Sequence, residues 1–233
     1  MLIDLNTESS IKTTLLSLRQ WRKNFEKKCC KDPIPWTKNS IGNIEGFYYW
    51  SLVHYLKPGL VMESGIKNGR STKILARACE SVGCKHYAFD VAPWSPDVDT
   101  FIRDYPNSAC IMGSSVNWFT EISSKFPRSS VLCFLDGPKA SITYRALVEN
   151  CSKLPLIGLV SHDCYPKGKP REAFEYCARK FLQAFDITIP APPFNDDLLY
   201  LNDYIMQDAE TIEPGRGQAL NTSGQYIGIC IKK

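Results

Sequence analysis

Residues 60–72 read Leu60-Val61-Met62-Glu63-Ser64-Gly65-Ile66-Lys67-Asn68-Gly69-Arg70-Ser71-Thr72. An apolar run reaches an acidic residue, passes two glycines four apart, and enters a segment with helical spacing at Ile74, Leu75 and Ala78. This order predicts a buried strand, a tight turn and a helix, the opening unit of a doubly wound α/β sheet. Glycine at 65 and 69 lets the chain turn sharply and leaves room for a ligand to approach the backbone. The turn falls at the carboxyl end of the first strand, where open α/β sheets bind their ligands. A dinucleotide fingerprint needs G-x-G-x-x-G and a phosphate loop needs G-x-x-x-x-G-K-[ST]. Neither stands here.

Outward from that unit, 233 residues fit one domain with a small appendage. A net charge of +4 with no basic block gives no support for a nucleic-acid partner. No apolar run approaches a membrane span, and the N-terminus lacks the layout of a signal peptide. Ten scattered cysteines show neither a C-x-x-C pair nor a histidine at zinc spacing, so free thiols in a reducing cytoplasm are expected.

Helices are expected at 8–30, 43–56, 70–82, 96–104, 116–126, 140–152 and 170–185. Strands are expected at 60–64, 86–90, 108–112, 131–135, 156–161, 186–189 and 226–231. The fold class is therefore α/β: a Rossmann-like, doubly wound, mostly parallel seven-stranded sheet with an antiparallel C-terminal strand and an N-terminal helical extension. The extension covers 1–57 and the Rossmann-like domain 58–233. Aromatics at Phe47, Tyr48, Trp50 and Tyr55 read as packing more than as a stacking pocket. Residues 191–224, rich in proline and glycine, read as a long connection covering the pocket.

Asp90 closes the second strand 25 residues after Gly65, where nucleotide-binding α/β units keep a carboxylate for ribose hydroxyls; a plain turn aspartate is the alternative. The fourth strand runs into Asp136-Gly137-Pro138-Lys139 and the fifth into His162-Asp163. Their ends should lie side by side, on the same edge as the Gly65 turn.

The pattern Glu63-x-Gly65-x-x-x-Gly69-x-Ser71-Thr72, with the strand ending in Asp90, Phe134-Leu135-Asp136-Gly137 and His162-Asp163, resembles class I S-adenosylmethionine-dependent methyltransferases. It is most similar to small O-methyltransferases of the catechol and macrolide-sugar types. The resemblance covers about 60–165 and hardly touches the first 57 residues. It implies that Glu63, Gly65, Gly69, Ser71 and Asp90 hold S-adenosylmethionine. Ser114 or Ser115 would border the adenine, although capping the following helix would use either equally well. Asp136 and Asp163 match positions that bind magnesium in that family, and Lys139 matches its general base. The third acidic ligand is missing; His162 and Cys164 flank Asp163 instead. Magnesium prefers oxygen ligands, and histidine shifts preference toward manganese. A divalent ion and a metal-free base both stay open.

The expected activity is methyl transfer to a hydroxyl of a sugar, glycan or other small metabolite, with Asp136, Lys139 and His162 as catalytic candidates. A lysine needs its pKa depressed to act near neutrality, whereas histidine does not. Lys139 as a solvated residue and His162 as a packed one are the structural alternatives. His54 and His86 read as structural. A homodimer through the N-terminal helix is left open. The competing class is a non-catalytic Rossmann-like module for a nucleoside ligand or a protein partner; an NAD-dependent oxidoreductase is disfavoured by the missing glycine.

Overall fold

The computed structural model describes residues 17–30, 41, 43–137, 141–151, 153–162, 183–185 and 228–231. Expectations for Lys139, Asp163, the connection 191–224 and most of the 170–185 helix lie outside the described residues. Strands β1 (Leu60–Ser64), β2 (Lys85–Asp90), β3 (Ser108–Met112), β4 (Val131–Leu135), β5 (Leu156–Ser161), β6 (Gln183–Phe185) and β7 (Gly228–Ile231) form one sheet in the order β3-β2-β1-β4-β5-β7-β6. Neighbouring pairs among β1 to β5 are parallel, and β7 runs antiparallel to both β5 and β6. The chain order reverses between β1 and β4, which opens a crevice at their carboxyl ends.

Helices α1 (Arg22–Phe25), α2 (Asn43–Leu56), α3 (Arg70–Val82), α4 (Pro96–Ile102), α5 (Ser115–Ser124) and α6 (Ser141–Cys151) accompany the sheet. Two expectations shift. The 8–30 helix is interrupted at Gln20–Trp21 in its described part, and after α1 it widens into a π-helical turn at Glu26–Cys30. The helix expected to reach 185 cannot do so, because Gln183–Phe185 pair with β7 as a strand. At 183–185 β-pairing overrides the helical period of the apolar residues, and the strand expected at 186–189 lies outside the described residues.

Side-chain alternation along β1 sorts the core into two layers. Leu60 and Met62 pack with Phe119, Ile122, Leu147 and Val148 of α5 and α6. Val61 faces the other way, with Leu132, Phe134 and Val160, against α2 and α3. Both faces of β1 and β4 are covered, which explains their unbroken burial. Helix α2 is buried nearly all round: Phe47, Tyr48, Tyr49, Trp50, Leu52 and Val53 are all enclosed. Tyr49 lies against Phe134 with ring centroids 4.6 Å apart. The aromatic stripe is core. His54 belongs to it: its Nδ1 lies 2.9 Å from the Trp50 carbonyl and its Nε2 2.7 Å from the Ser81 hydroxyl. Burial holds its pKa below the usual histidine value, partly offset by the Trp50 carbonyl. The cysteines at 29, 79, 84, 110, 133 and 151 form no disulfide.

The turn after β1 is set by close backbone packing. Gly65 has φ 97°, and a Cβ there would stand 2.9 Å from the Asp136 carbonyl and the Gly137 nitrogen. Gly65→Ala is expected to cost about 1–3 kcal/mol from the positive φ, with the overlap added. A urea denaturation midpoint equal to that of the wild type would contradict this packing.

Candidate functional site

Three strand ends make the floor of the crevice. The Gly65 amide donates to the Phe89 carbonyl (2.8 Å), joining β1 to β2. The Asp136 amide donates to the Ser64 carbonyl (2.8 Å), and the His162 amide to the Leu135 carbonyl (2.9 Å), joining β4 to β1 and β5 to β4. These bonds carry the ladders one residue past each strand, so Gly65, Asp136 and His162 stand side by side at the edge.

Asp90 reaches back over the turn. Its Oδ2 accepts the amides of Ile66 (2.8 Å) and Lys67 (3.0 Å), and its Oδ1 accepts that of Ala92 (3.1 Å). A carboxylate offers about four lone-pair positions. Three backbone donors leave little capacity for ribose hydroxyls, so the first role of Asp90 is to clamp the turn. The clamp fits the strained backbone beside it: Lys67 has φ 48°, unusual without glycine. Gly69 also serves internal packing, since a Cβ there would run into Val98.

Glu63 is not at the edge. Its side chain is 1% exposed and its Oε2 lies 3.3 Å from the Nε2 of His86, itself fully buried. The two are close enough to attract but not aligned as a hydrogen bond. The negative charge of Glu63 contributes to raising the thiols of Cys79 and Cys110, after burial in both cases, and Cys110 is pushed up to about 12. The cause is the alternation that sorts the core: position 63 shares a face with Val61, beneath α3. The expectation that Glu63 contacts the cofactor is corrected by its enclosure. His86 is structural, as expected, with Nδ1 3.3 Å from the Ser108 hydroxyl.

Ser71 is buried in the first turn of α3. Ser115 is also buried, and its hydroxyl lies 2.7 Å from that of Ser64. Ser114 is the residue before α5 and makes no side-chain capping bond there, so capping does not use it. It is half-buried.

The most reactive grouping centres on His162. Its Nδ1 lies 2.6 Å from Oε1 of Glu45, and its Nε2 lies 3.8 Å from Oδ1 of Asp136. The imidazole is 16% exposed and the Asp136 side chain 29%, whereas Glu45 is completely enclosed. Glu45 comes from the first turn of α2, outside the segment whose pattern pointed to the site. Sequence reasoning missed it because its partner is 117 residues away. The weak signal available was an acid at the start of an otherwise apolar helix. Two exposed apolar side chains were also missed: Val91 and Met112, 74% and 51% exposed, beside Asp90 at the ends of β2 and β3.

Among the described residues, no three His, Cys, Asp or Glu side chains gather as a metal site. Asp136 and His162 supply at most two donors, and the expected partner Asp163 lies outside the described residues. No described helix is long and apolar enough to cross a membrane.

No protein-family model matches the chain, and no curated protein matches it. Solved structures do. The apo structure of CalS11, a TDP-rhamnose 3'-O-methyltransferase of calicheamicin biosynthesis, matches with 15% identity and a TM-score of 0.50, over 77% of this chain and 91% of that one. An O-methyltransferase from Bacillus cereus in complex with SAH matches with 15% identity and a TM-score of 0.49, over 94% and 91%. The SAH-bound Podospora anserina methyltransferase PaMTH1 has 13% identity and a TM-score of 0.47, over 100% and 99%. The likeness to CalS11 shows a shared fold, the Rossmann-like α/β fold.

The Asp90 clamp makes a prediction in solution. A hydrogen bond to a charged group contributes about 1.5–3 kcal/mol. In Asp90→Ala the amides of Ile66 and Lys67 should therefore exchange with deuterium roughly tenfold faster or more, with Asp90→Asn in between. Equal exchange in all three proteins would show that the carboxylate does not hold the turn.

Proposed function

We propose that this protein is an S-adenosylmethionine-dependent O-methyltransferase acting on a hydroxyl of a sugar, glycan or other small metabolite. The observation that carries the proposal is the placement of His162 and Asp136 beside the Gly65 turn, at the carboxyl edge of a doubly wound sheet. The fold shared with CalS11 supports it, and that protein's TDP-rhamnose substrate makes a sugar acceptor the first to test.

The chemistry needs little from the protein. S-adenosylmethionine supplies an electrophilic methyl group on a sulfonium; the chain must align an acceptor oxygen and assist its deprotonation. Val91 and Met112 offer apolar surface for a purine next to Asp90, whose remaining lone pair can take one ribose hydroxyl. Ser114 stands at the same edge. Gly65 and Gly69 keep the turn tight, and Ser71 packs behind it.

His162 or Lys139 takes the proton. His162 has an imidazole nitrogen directed at the Asp136 side of the crevice, and Asp136 would orient the acceptor hydroxyl. A divalent ion at Asp136 and Asp163 remains part of the proposal; it would acidify the hydroxyl directly. The segment 1–57 would form part of the acceptor pocket or a homodimer contact. The thiols of Cys29, Cys79, Cys84, Cys110, Cys133 and Cys151, none in a disulfide, suit a reducing cytoplasm.

Calorimetry with S-adenosylhomocysteine should give saturable binding and NAD none; binding of NAD alone would overturn the assignment. A radiolabelled methyl-transfer screen against glycosides and phenols then identifies the acceptor. With it, His162→Ala and Lys139→Ala are assayed separately, and the base is the one whose loss costs about 10²–10⁴-fold in kcat. If neither loses rate, neither is the base. Turnover that survives exhaustive chelation removes the metal from the scheme.

A further inference from the structure

We infer that Glu45, on the helix before the Rossmann-like unit, is a positioning residue that fixes the orientation and tautomer of His162. The inference rests on the methyl-transfer reading for its catalytic meaning, but not for its geometry.

The argument starts from burial. A carboxylate fully enclosed by protein is costly unless hydrogen-bonded or paired, and Glu45 has no exposure at all. The 2.6 Å contact to Nδ1 of His162 is as short as charge-assisted hydrogen bonds become. Ionised, Glu45 can only accept, so Nδ1 must donate. In a neutral imidazole that places the single ring proton on Nδ1 and leaves the lone pair on Nε2. That second nitrogen faces Asp136 across 3.8 Å, too far for a hydrogen bond that would draw the proton the other way. The Glu45 oxygen holds the ring, and the backbone that carries it is fixed by the His162 amide donating to the Leu135 carbonyl (2.9 Å). Helix α2 cannot drift from this contact. The Gly46 position lies so close to Ile74 of α3 that even a Cβ there would stand 2.7 Å from the Ile74 Cδ1.

The consequence is a directed proton acceptor. As the acceptor oxygen bonds to the methyl carbon, the carbon–sulfur bond breaks and its electron pair returns to sulfur. Where His162 rather than Lys139 is the base, the hydroxyl proton goes to its Nε2, and the charge lost by the sulfonium reappears on the imidazolium beside Glu45. Without Glu45, the Nδ1 proton loses this acceptor and the ring can carry its proton on Nε2, where it could not act as a base.

The test uses the full-length protein with 15N-labelled histidine, read by long-range 1H–15N correlation at about pH 8.5, where ordinary imidazoles are neutral. The chain has three histidines, and His162→Gln identifies the signals by their loss. Wild type should show His162 as the Nδ1–H tautomer. Glu45→Gln should keep that tautomer, because its amide oxygen accepts the same bond. Glu45→Ala should move toward Nε2–H, the form favoured by free histidine. With an acceptor in hand, Glu45→Ala should lower kcat on the order of 10²-fold while KM for S-adenosylmethionine stays within about twofold, and Glu45→Gln should recover part of the rate. An Nε2–H tautomer in wild type, or an unchanged tautomer in Glu45→Ala, overturns the inference. If Glu45→Ala does not fold, the wild-type tautomer decides alone. A sample with the expected tautomer that binds no S-adenosylhomocysteine would instead sink the methyl-transfer reading and leave the pairing intact.

Discussion

The architecture depends on one close approach: the backbone of Gly65 against that of Asp136 and Gly137. A parallel sheet brings neighbouring strands within hydrogen-bonding distance, but their following loops normally diverge to opposite faces at the switch point. Here the Asp136 amide still reaches the Ser64 carbonyl, and no side chain at 65 or 137 could fit between the two chains. The turn after β1 is seated directly against the end of β4 as a result. Whatever sits above it meets the ends of β1, β4 and β5 at fixed separations, which is the condition for aligning two reactants.

The same approach assigns the glycines a different task from the one their spacing suggested. Gly65 and Gly69 looked like clearance for a ligand; the space they leave is taken by Asp136 and Val98. Reading the turn from the sequence succeeded because glycine at a strand–helix corner has few uses, all requiring a tight bend. Telling protein from ligand as the neighbour needed three dimensions. Glu63 is an instructive contrast, because its misplacement was avoidable. Leu60, Met62 and Ser64 share one face of the strand by simple alternation, so Glu63 had to point to the other, beneath a helix. A family-like motif outweighed a period that was already in view.

The order of strands was legible because the first four apolar runs reached Gly or an acid at Glu63, Asp90, Gly113 and Asp136, and the parallel pairing followed from the helices between them. Helix ends moved by only one or two residues at α4 and α5. Beyond His162 the pattern weakened, and a strand replaced the end of an expected helix. Half of the reactive grouping was equally legible: Asp136 and His162 follow two successive strands, and parallel topology makes such positions neighbours. Glu45 was not, since nothing local in an aromatic helix indicates which distant strand it will meet. An acid among buried aromatics signals only that a partner must exist.

Charge gives the last link between this edge and the kind of ligand it suits. A helix N-terminus after a glycine turn is ordinarily a place for phosphate, because free amides there point at the ligand. In this protein the amides of the turn itself, from Ile66 and Lys67 ahead of the helix that starts at Arg70, are already taken by Asp90. The turn therefore presents a carboxylate where a pyrophosphate site would present donors. Asp136, partly exposed, and the enclosed Glu45 behind His162 place two more carboxyl groups near that turn. A pyrophosphate set against the turn would meet Asp90 and find the Ile66 and Lys67 donors occupied. A ligand bearing an ammonium and a sulfonium meets the opposite situation: its charges are attracted, and it asks nothing of the amides that Asp90 holds. On the methyl-transfer reading, the clamp that fixes the turn would also disfavour a pyrophosphate there.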